Sequence, residues 1–464
     1  MTTDTLQFLY VASTAVVVSL AVARPHWLLR PSFAFACTMT IIINFSAAFV
    51  FQPDWPDSQV SDSTRLHAIM FPIAICIWIG CTPFLSQTAR RLLSECRRST
   101  GETNSDCRID KFVIGAFSVA IAIIALWYFW SVPLRSTGLW TIFFEPEQAG
   151  QAREESLKLL DSKSLKYAYS ICTNVIVPTT IFVCLVRISK RKAITSSAIL
   201  LGVLAVLIFA GISGARMPVA KILLTVAVAI ALTSRSRRWL VVLPLSVAGA
   251  FCLIAALSFL REGQGATGPT DMFLGIANRA FVMPFETGLL SVDFAGNEGF
   301  LDGANVRPFA IITGQEYLAL PSEIYQTYYF AEAGGEIESG LAPTCFLFDF
   351  QAGFGISLGW WISLAGIASL DFGLLAFRRL KGAALPALLA TFLFVAAIDL
   401  TGSAYTTQLL TGGIAIIIVL ALFLAVISNE DTVSRPTDRP KKHHQPVGWP
   451  VAQGQIEDPR RRFE

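Results

Sequence analysis

Long apolar runs broken by short polar segments dominate the chain. A helix needs about 20 apolar residues to cross a bilayer. Runs of that kind lie near 6–23, 33–52, 67–86, 112–130, 168–187, 194–213, 217–233, 239–260, 342–370, 383–401 and 404–427. The pattern therefore predicts an all-α, polytopic membrane bundle of about eleven spans. The seventh run is short and the ninth long, which predicts tilt or a broken helix there. One large polar block separates the eighth run from the ninth. The chain then divides into 1–260 (eight spans), 261–341 (a large loop with short helices), 342–428 (three spans) and 429–464 (a disordered tail).

Composition agrees with a membrane protein. Of 464 residues, 54% are apolar and 15% charged, which excludes two or three ordinary soluble domains. The net charge of +3 says little, but its distribution is informative. Basic residues cluster in alternate loops: Arg24 and Arg30; Arg90, Arg91, Arg97, Arg98, Arg108 and Lys111; Arg187, Lys190, Arg191 and Lys192; Arg235, Arg237 and Arg238; Arg378, Arg379 and Lys381. The tail adds Arg435, Arg439, Lys441 and Lys442. The positive-inside rule makes these loops cytoplasmic. Eleven spans then leave the N-terminus outside and the C-terminus inside. Loop 131–167 departs in part, with Arg135, Arg153, Lys158, Lys163 and Lys166 spread along it.

The first run ends in Ala-Val-Ala like a signal peptide, but Asp4 stands where a basic segment belongs, so it reads as a span. Most of the nine cysteines lie in or beside apolar runs, where a thiol is a small apolar filler. Cys96 and Cys107 fall in a cytoplasmic loop, and no metal-ligand spacing or disulfide framework emerges. Loop 87–111 reads as a helix extension with a turn, and QAREESLKLL in loop 131–167 as an amphipathic surface stretch. Within the insert, MFLGIANRAFVMPFETGLL carries Arg279 and Glu286 and reads as lying against the bundle rather than as a twelfth span. No internal repeat is found, which counts against a transporter built of inverted halves.

The candidate chemistry gathers at the external end. Arg216 lies in ISGARMP, the short turn between the sixth and seventh spans, crowded by Gly211, Gly214 and Pro218. An intramembrane arginine is costly unless paired, although one at the interface can also snorkel to lipid phosphate. Arg261 follows the eighth span in SFLREGQG, as a helix-end cation or part of a hinge with Glu262. Arg279 either pairs with Glu286 or joins Arg216 and Arg261 on a diphosphate, whose oxygens suit forked guanidinium contacts. The insert sets three arginines, Arg307 among them, against eleven carboxylates. That balance suits sugar hydroxyls and a general base better than a generic phosphate surface.

Glu323, in ALPSEIYQTYY, is the first choice for the base, with Tyr325, Tyr328 and Tyr329 on nearby turns and Glu316 second. A glutamate near a helix N-terminus is equally explained by the dipole. Asp349 enters the ninth span in LFDFQAGFG, bonding a neighbouring helix or facing a cavity; Gln351 and three glycines there mark close packing or irregular backbone. Asp399, near the outer end of the tenth span, bonds a neighbouring helix or has Thr401 and Ser403 as local partners, and reads as structural. GISG at 211–214 imitates an intramembrane serine protease, but His67 is the only histidine near that side.

The series AREESLKLLDSKSLKYAYSICTNVIVP, ISGARMP, LREG, NRAF, GQEYLALPSEIYQTYY and FLFDFQAGFGISLG resembles, in order, the Wzy-type oligosaccharide repeat-unit polymerases of bacteria. The likeness covers about 140–372. Many members carry Gly-Glu-x-Tyr-x-Asn-Phe-Gly where this chain has FDFQAGFG, so Asp349 stands for the acid, while Gln351 and Gly353 replace the tyrosine and asparagine.

The resemblance implies a GT-C-like inner-membrane glycosyltransferase acting on undecaprenyl-diphosphate-linked oligosaccharide at the periplasmic face. It needs neither metal nor nucleotide sugar. A flippase and a chain-length regulator of the same pathway are the expected partners, besides membrane lipid. Arg216 and Glu323 would be catalytic, with Arg261, Arg279, Arg307, Glu316, Tyr325 and Asp349 binding substrate. Two rival expectations are a flippase for the same lipid-linked sugars and a non-catalytic component of polysaccharide assembly.

Overall fold

The structure, a computed structural model, describes residues 3–50, 62–99, 104–144, 162–188, 202–204, 206–212, 216–234, 245, 248–249, 252, 274–275, 277–299, 301–329, 344–410 and 412–433. Among the described residues there is helix and turn and no strand. In chain order the helices are α1 (Thr3–Ala23), α2 (Pro31–Val50), α3 (Asp62–Cys81), α4 (Ser86–Ser99), α5 (Asn104–Ser131), α6 (Gly138–Phe144), α7 (Lys163–Ile171) and α8 (Val177–Ile188). They continue as α9 (Arg216–Thr233), α10 (Met283–Glu298), α11 (Arg307–Thr313), α12 (Leu320–Ile324), α13 (Phe346–Gly373), α14 (Ala384–Ala397), α15 (Tyr405–Leu410) and α16 (Ile414–Val433). A π-helical turn, Cys172–Ile176, joins α7 to α8 without a break in the rod.

Among the described residues, five stretches are long and apolar enough to cross a membrane: Ile109–Ser131, Lys163–Arg187, Phe346–Arg379, Ala384–Gly402 and Tyr405–Ile427. They coincide with the fourth, fifth, ninth, tenth and eleventh expected spans. Shorter apolar helices, including Pro31–Ile42, Met70–Ile79 and Pro218–Thr233, fall on other expected spans. Nearly all of the eighth, the stretch QAREESLKLL and the tail beyond 433 lie outside the described residues.

Burial follows sequence character. Every residue of α14 is buried, as expected of a helix that is apolar all round. It is the axis of the bundle, packing against α2, α8, α9 and α16. By contrast α4 is amphipathic and buries only one stripe, in which Ala89, Leu92 and Cys96 recur at helical spacing.

The helix ends sort into two groups. At one end the Arg30 Nε donates to Asp371 Oδ2 at 3.1 Å, and the Ser32 backbone N–H and hydroxyl donate to the same carboxylate at 3.0 and 2.7 Å. There too Arg187 pairs with Asp110 at 3.0 Å, and Asp110 accepts the Ala383 N–H at 3.1 Å. Arg378 and Lys381 stand beside Glu95 of α4 at this end. The basic clusters from separate loops thus meet at one end, as the charge alternation predicts.

At the other end Tyr169 donates to the Ala210 carbonyl at 3.0 Å, and the Ser46 hydroxyl to the Phe281 carbonyl at 2.5 Å. Lys221 Nζ pairs there with Asp399 at 2.8 Å. Of the two kinds of partner expected for Asp399, this is the neighbouring helix. The carboxylate reaches across to α9, while Ser403 donates to the Asp399 main-chain carbonyl instead.

Candidate functional site

The site is built on a break in α13. Gly355 has φ 72° and ψ −177°, a conformation closed to most residues with a side chain. The helix therefore divides into a nine-residue first half, at the insert end, and a longer second half, as the length of the ninth run predicts. A break frees the last carbonyls of the preceding turn, which must find other donors. The insert supplies them. The Leu301 N–H donates to the Ala352 carbonyl at 3.4 Å, the Gly303 N–H to the Gly353 carbonyl at 3.0 Å, and Asn305 Nδ2 to the Asp349 carbonyl at 2.7 Å. A Cβ on Gly353 would stand 2.4 Å from Asn305 Oδ1, so only glycine admits that amide.

The insert is anchored from two further directions. Phe285 of α10 meets Phe348 edge-on, with ring centroids 5.8 Å apart. Leu290 and Ala295 of α10 join Leu320, Ile324 and Ala352 in a small second core covered by Tyr325, Tyr328 and Tyr329. Tyr325 and Tyr329 stack at 6.4 Å, and the Tyr328 hydroxyl donates to Asp293 at 3.3 Å.

Within this frame several polar groups are buried without partners. Among the described residues, Asp349 is 5% exposed and its Oδ1 meets no donor, and Gln351 is 1% exposed with neither amide atom bonded. Asn305 Oδ1 and the Thr344 hydroxyl are also unanswered. Natural proteins rarely leave such groups idle, since each costs about 1–3 kcal/mol. Nearer the surface, Arg307 at the start of α11 lies over the ring of Tyr317 at 5.8 Å. Burial and the adjacent Asp349 push the Tyr317 phenol above its ordinary pKa, and Arg307 draws it partly back. Asp349, Tyr317 and Arg307 therefore form one electrostatic group running from the interior to the surface.

The expected site residues fare unequally. Asp349 and Arg307 both act electrostatically on Tyr317, and Arg307 lies over its ring. Glu323 is half-buried in α12 and Tyr325 follows it directly, whereas Glu316 is exposed. Arg216 opens α9 and Arg279 lies in the π-helical turn Asn278–Val282, but both side chains fall outside the described residues, as does all of Arg261. Convergence of those three arginines is thus not described by the structure. Asn305 and Lys221 escape sequence reasoning. One is a turn residue whose partner lies 44 positions away, and the other a lone lysine in an apolar run. Comparison of the chain with protein-family models, curated proteins and solved structures finds no match.

Proposed function

We propose that the protein is a polysaccharide polymerase. It joins undecaprenyl-diphosphate-linked oligosaccharide repeat units at the periplasmic face of the bacterial inner membrane, with the basic end of the bundle in the cytoplasm. The observation that carries this reading is the Asp349 carboxyl, buried where the insert grips the broken α13, with an Oδ1 that no donor among the described residues reaches and with Tyr317 and Arg307 in its electrostatic neighbourhood. The resemblance to the Wzy-type polymerases places an acid at 349. It also places an asparagine at 353, where this chain has glycine and lays the Asn305 amide in the vacated space.

In the reaction a hydroxyl of the incoming lipid-linked unit attacks the anomeric carbon of the growing glycan. The new C–O bond forms as the bond from that carbon to the phosphate oxygen breaks, and undecaprenyl diphosphate leaves with the bonding pair. A carboxylate takes the hydroxyl proton. Glu323 and Asp349 are the two candidates, and Asp349 is favoured because its carboxyl is buried with an Oδ1 that no described donor reaches, whereas Glu323 is only half-buried. Arg216, Arg261 and Arg279 are assigned to the departing diphosphate, where charge develops. Arg307 and Tyr317 bind sugar.

Reconstitution of the purified protein with lipid-linked repeat units tests the proposal, with lengthening glycan as the expected product. Arg216→Ala is expected to abolish lengthening while leaving the protein inserted and abundant, and Glu323→Gln to slow it with substrate still bound. Units that cross the bilayer without growing would overturn the polymerase. They would establish the second reading, a flippase, which the broken α13 favours because transporters place substrate at interrupted helices.

A further inference from the structure

The basic end holds a feature that the proposed reaction does not use. A cavity of about 580 Å³ opens between the turn joining α1 to α2 and the start of α4, lined by Arg24, His26, Trp27, Ser86, Gln87 and Arg90. Its floor is rigid. Trp27 is 3% exposed, meets Phe33 edge-on at 5.7 Å, and lies between Arg24 at 4.7 Å and Arg30 at 5.6 Å. Arg30 is locked by Asp371 and by the Thr82 carbonyl, so the turn is held in place from below.

The two arginines of the wall differ from Arg30 in one respect: among the described residues neither Arg24 nor Arg90 has an ion pair, and no carboxylate lines the cavity. Glu95, the acid of α4, faces Arg98, Lys381, Arg91 and Arg378 instead. Burial together with Arg90 and Arg24 holds His26 below the ordinary imidazole range, so the positive field inside the cavity is uncompensated. Beside the cavity the surface turns apolar, with Val22, Phe84 and Phe372 exposed and the last two in ring contact at 5.2 Å.

We infer that this cavity binds a phosphate-bearing anion, in the first place the headgroup of an anionic membrane lipid. Arg24 and Arg90 take the phosphate oxygens, Ser86 and Gln87 bond the polar headgroup, and the acyl chains lie along Val22 and Phe84. Guanidinium groups suit phosphate because they offer several N–H donors in a fixed fork. The volume falls in the range of small-molecule sites, about 300–1,000 Å³, and exceeds what one inorganic phosphate fills. Nothing in this assignment depends on the polymerase reading, because the cavity and Asp349 lie at opposite ends of the bundle.

Native mass spectrometry of the full chain, released from nanodiscs of phosphatidylglycerol or of phosphatidylcholine, tests the inference. The wild type is expected to retain one phosphatidylglycerol and no phosphatidylcholine. Arg24→Gln with Arg90→Gln is expected to weaken retention about tenfold per arginine, and the matching pair of lysine replacements to restore part of it. A control with Arg378→Gln and Arg379→Gln removes as much charge from the same end and is expected to retain the lipid. Equal retention of the neutral lipid, or equal loss in the control, overturns the proposal.

Titration of the wild type in neutral detergent with inorganic phosphate separates the sources. Binding of free phosphate without lipid retention moves the ligand to a soluble phosphate compound at the same arginines, and binding of neither removes the site. Thermal unfolding of each variant guards against loss of fold, and the lysine pair decides the question if the glutamine pair does not fold.

Discussion

Asp371 and Asp349 sit on the two halves of α13 and are both buried, yet only the first has its charge answered. Asp371 receives Arg30 and two bonds from Ser32 at the basic end. Asp349, at the insert end, offers an Oδ1 that no described donor reaches. The helix, its apolar content and the burial are shared, so what distinguishes the two is the company provided by neighbouring helices. A buried ion pair holds helices in register. A buried carboxyl without such a partner costs stability instead, and the proposed function accounts for that cost by giving it a substrate.

That contrast can be broken most forcefully at the paired end. Asp371→Ala leaves the Arg30 guanidinium buried without a counter-charge and is expected to cost about 3–5 kcal/mol, seen as a large drop in thermal unfolding temperature in detergent. An unfolding temperature within experimental error of wild type would deny that this pair holds α2 to α13. At the other end, Gly353→Ala forces a methyl group into the Asn305 amide. It is expected to cost about 1–3 kcal/mol and to reduce polymer yield by displacing the loop at 301–305. Full yield would mean that the clamp is dispensable.

Asp349→Asn sharpens the comparison itself. It is expected to change stability by less than about 1 kcal/mol, since no partner is lost, while glycan lengthening falls at least a hundredfold. If instead it destabilises as much as the change at Asp371, the carboxyl has a structural role. The smallest effect is expected for Arg307→Gln, an exposed residue: unfolding within about 0.5 kcal/mol of wild type, with weaker capture of lipid-linked units measured by flotation.

Part of this was legible beforehand. Basic residues in alternate loops predict that Arg30, Arg187 and Arg378 share one end, because charged loops sort by side whatever lies between them. The glycines after Gln351 predict a broken ninth span, since few other residues tolerate the backbone found at Gly355. Asp349 is visible as an acid entering an apolar run. The Lys221–Asp399 pair is not legible, because a lone lysine in an apolar run reads equally as a snorkelling cation. Nor is Asn305, whose value lies in a bond to the main-chain carbonyl of Asp349, 44 positions away on α13. Pairings made across the fold leave no local pattern in the chain.

The joint at Gly355 also determines how force travels through the molecule. A continuous rod would link the insert directly to the Arg30 lock. Here the first nine residues hang from the insert by three hydrogen bonds, while the longer half is moored at the basic end. A displacement of the insert therefore meets the segment that carries Asp349 first, with the joint standing between that segment and the Arg30–Asp371 anchor.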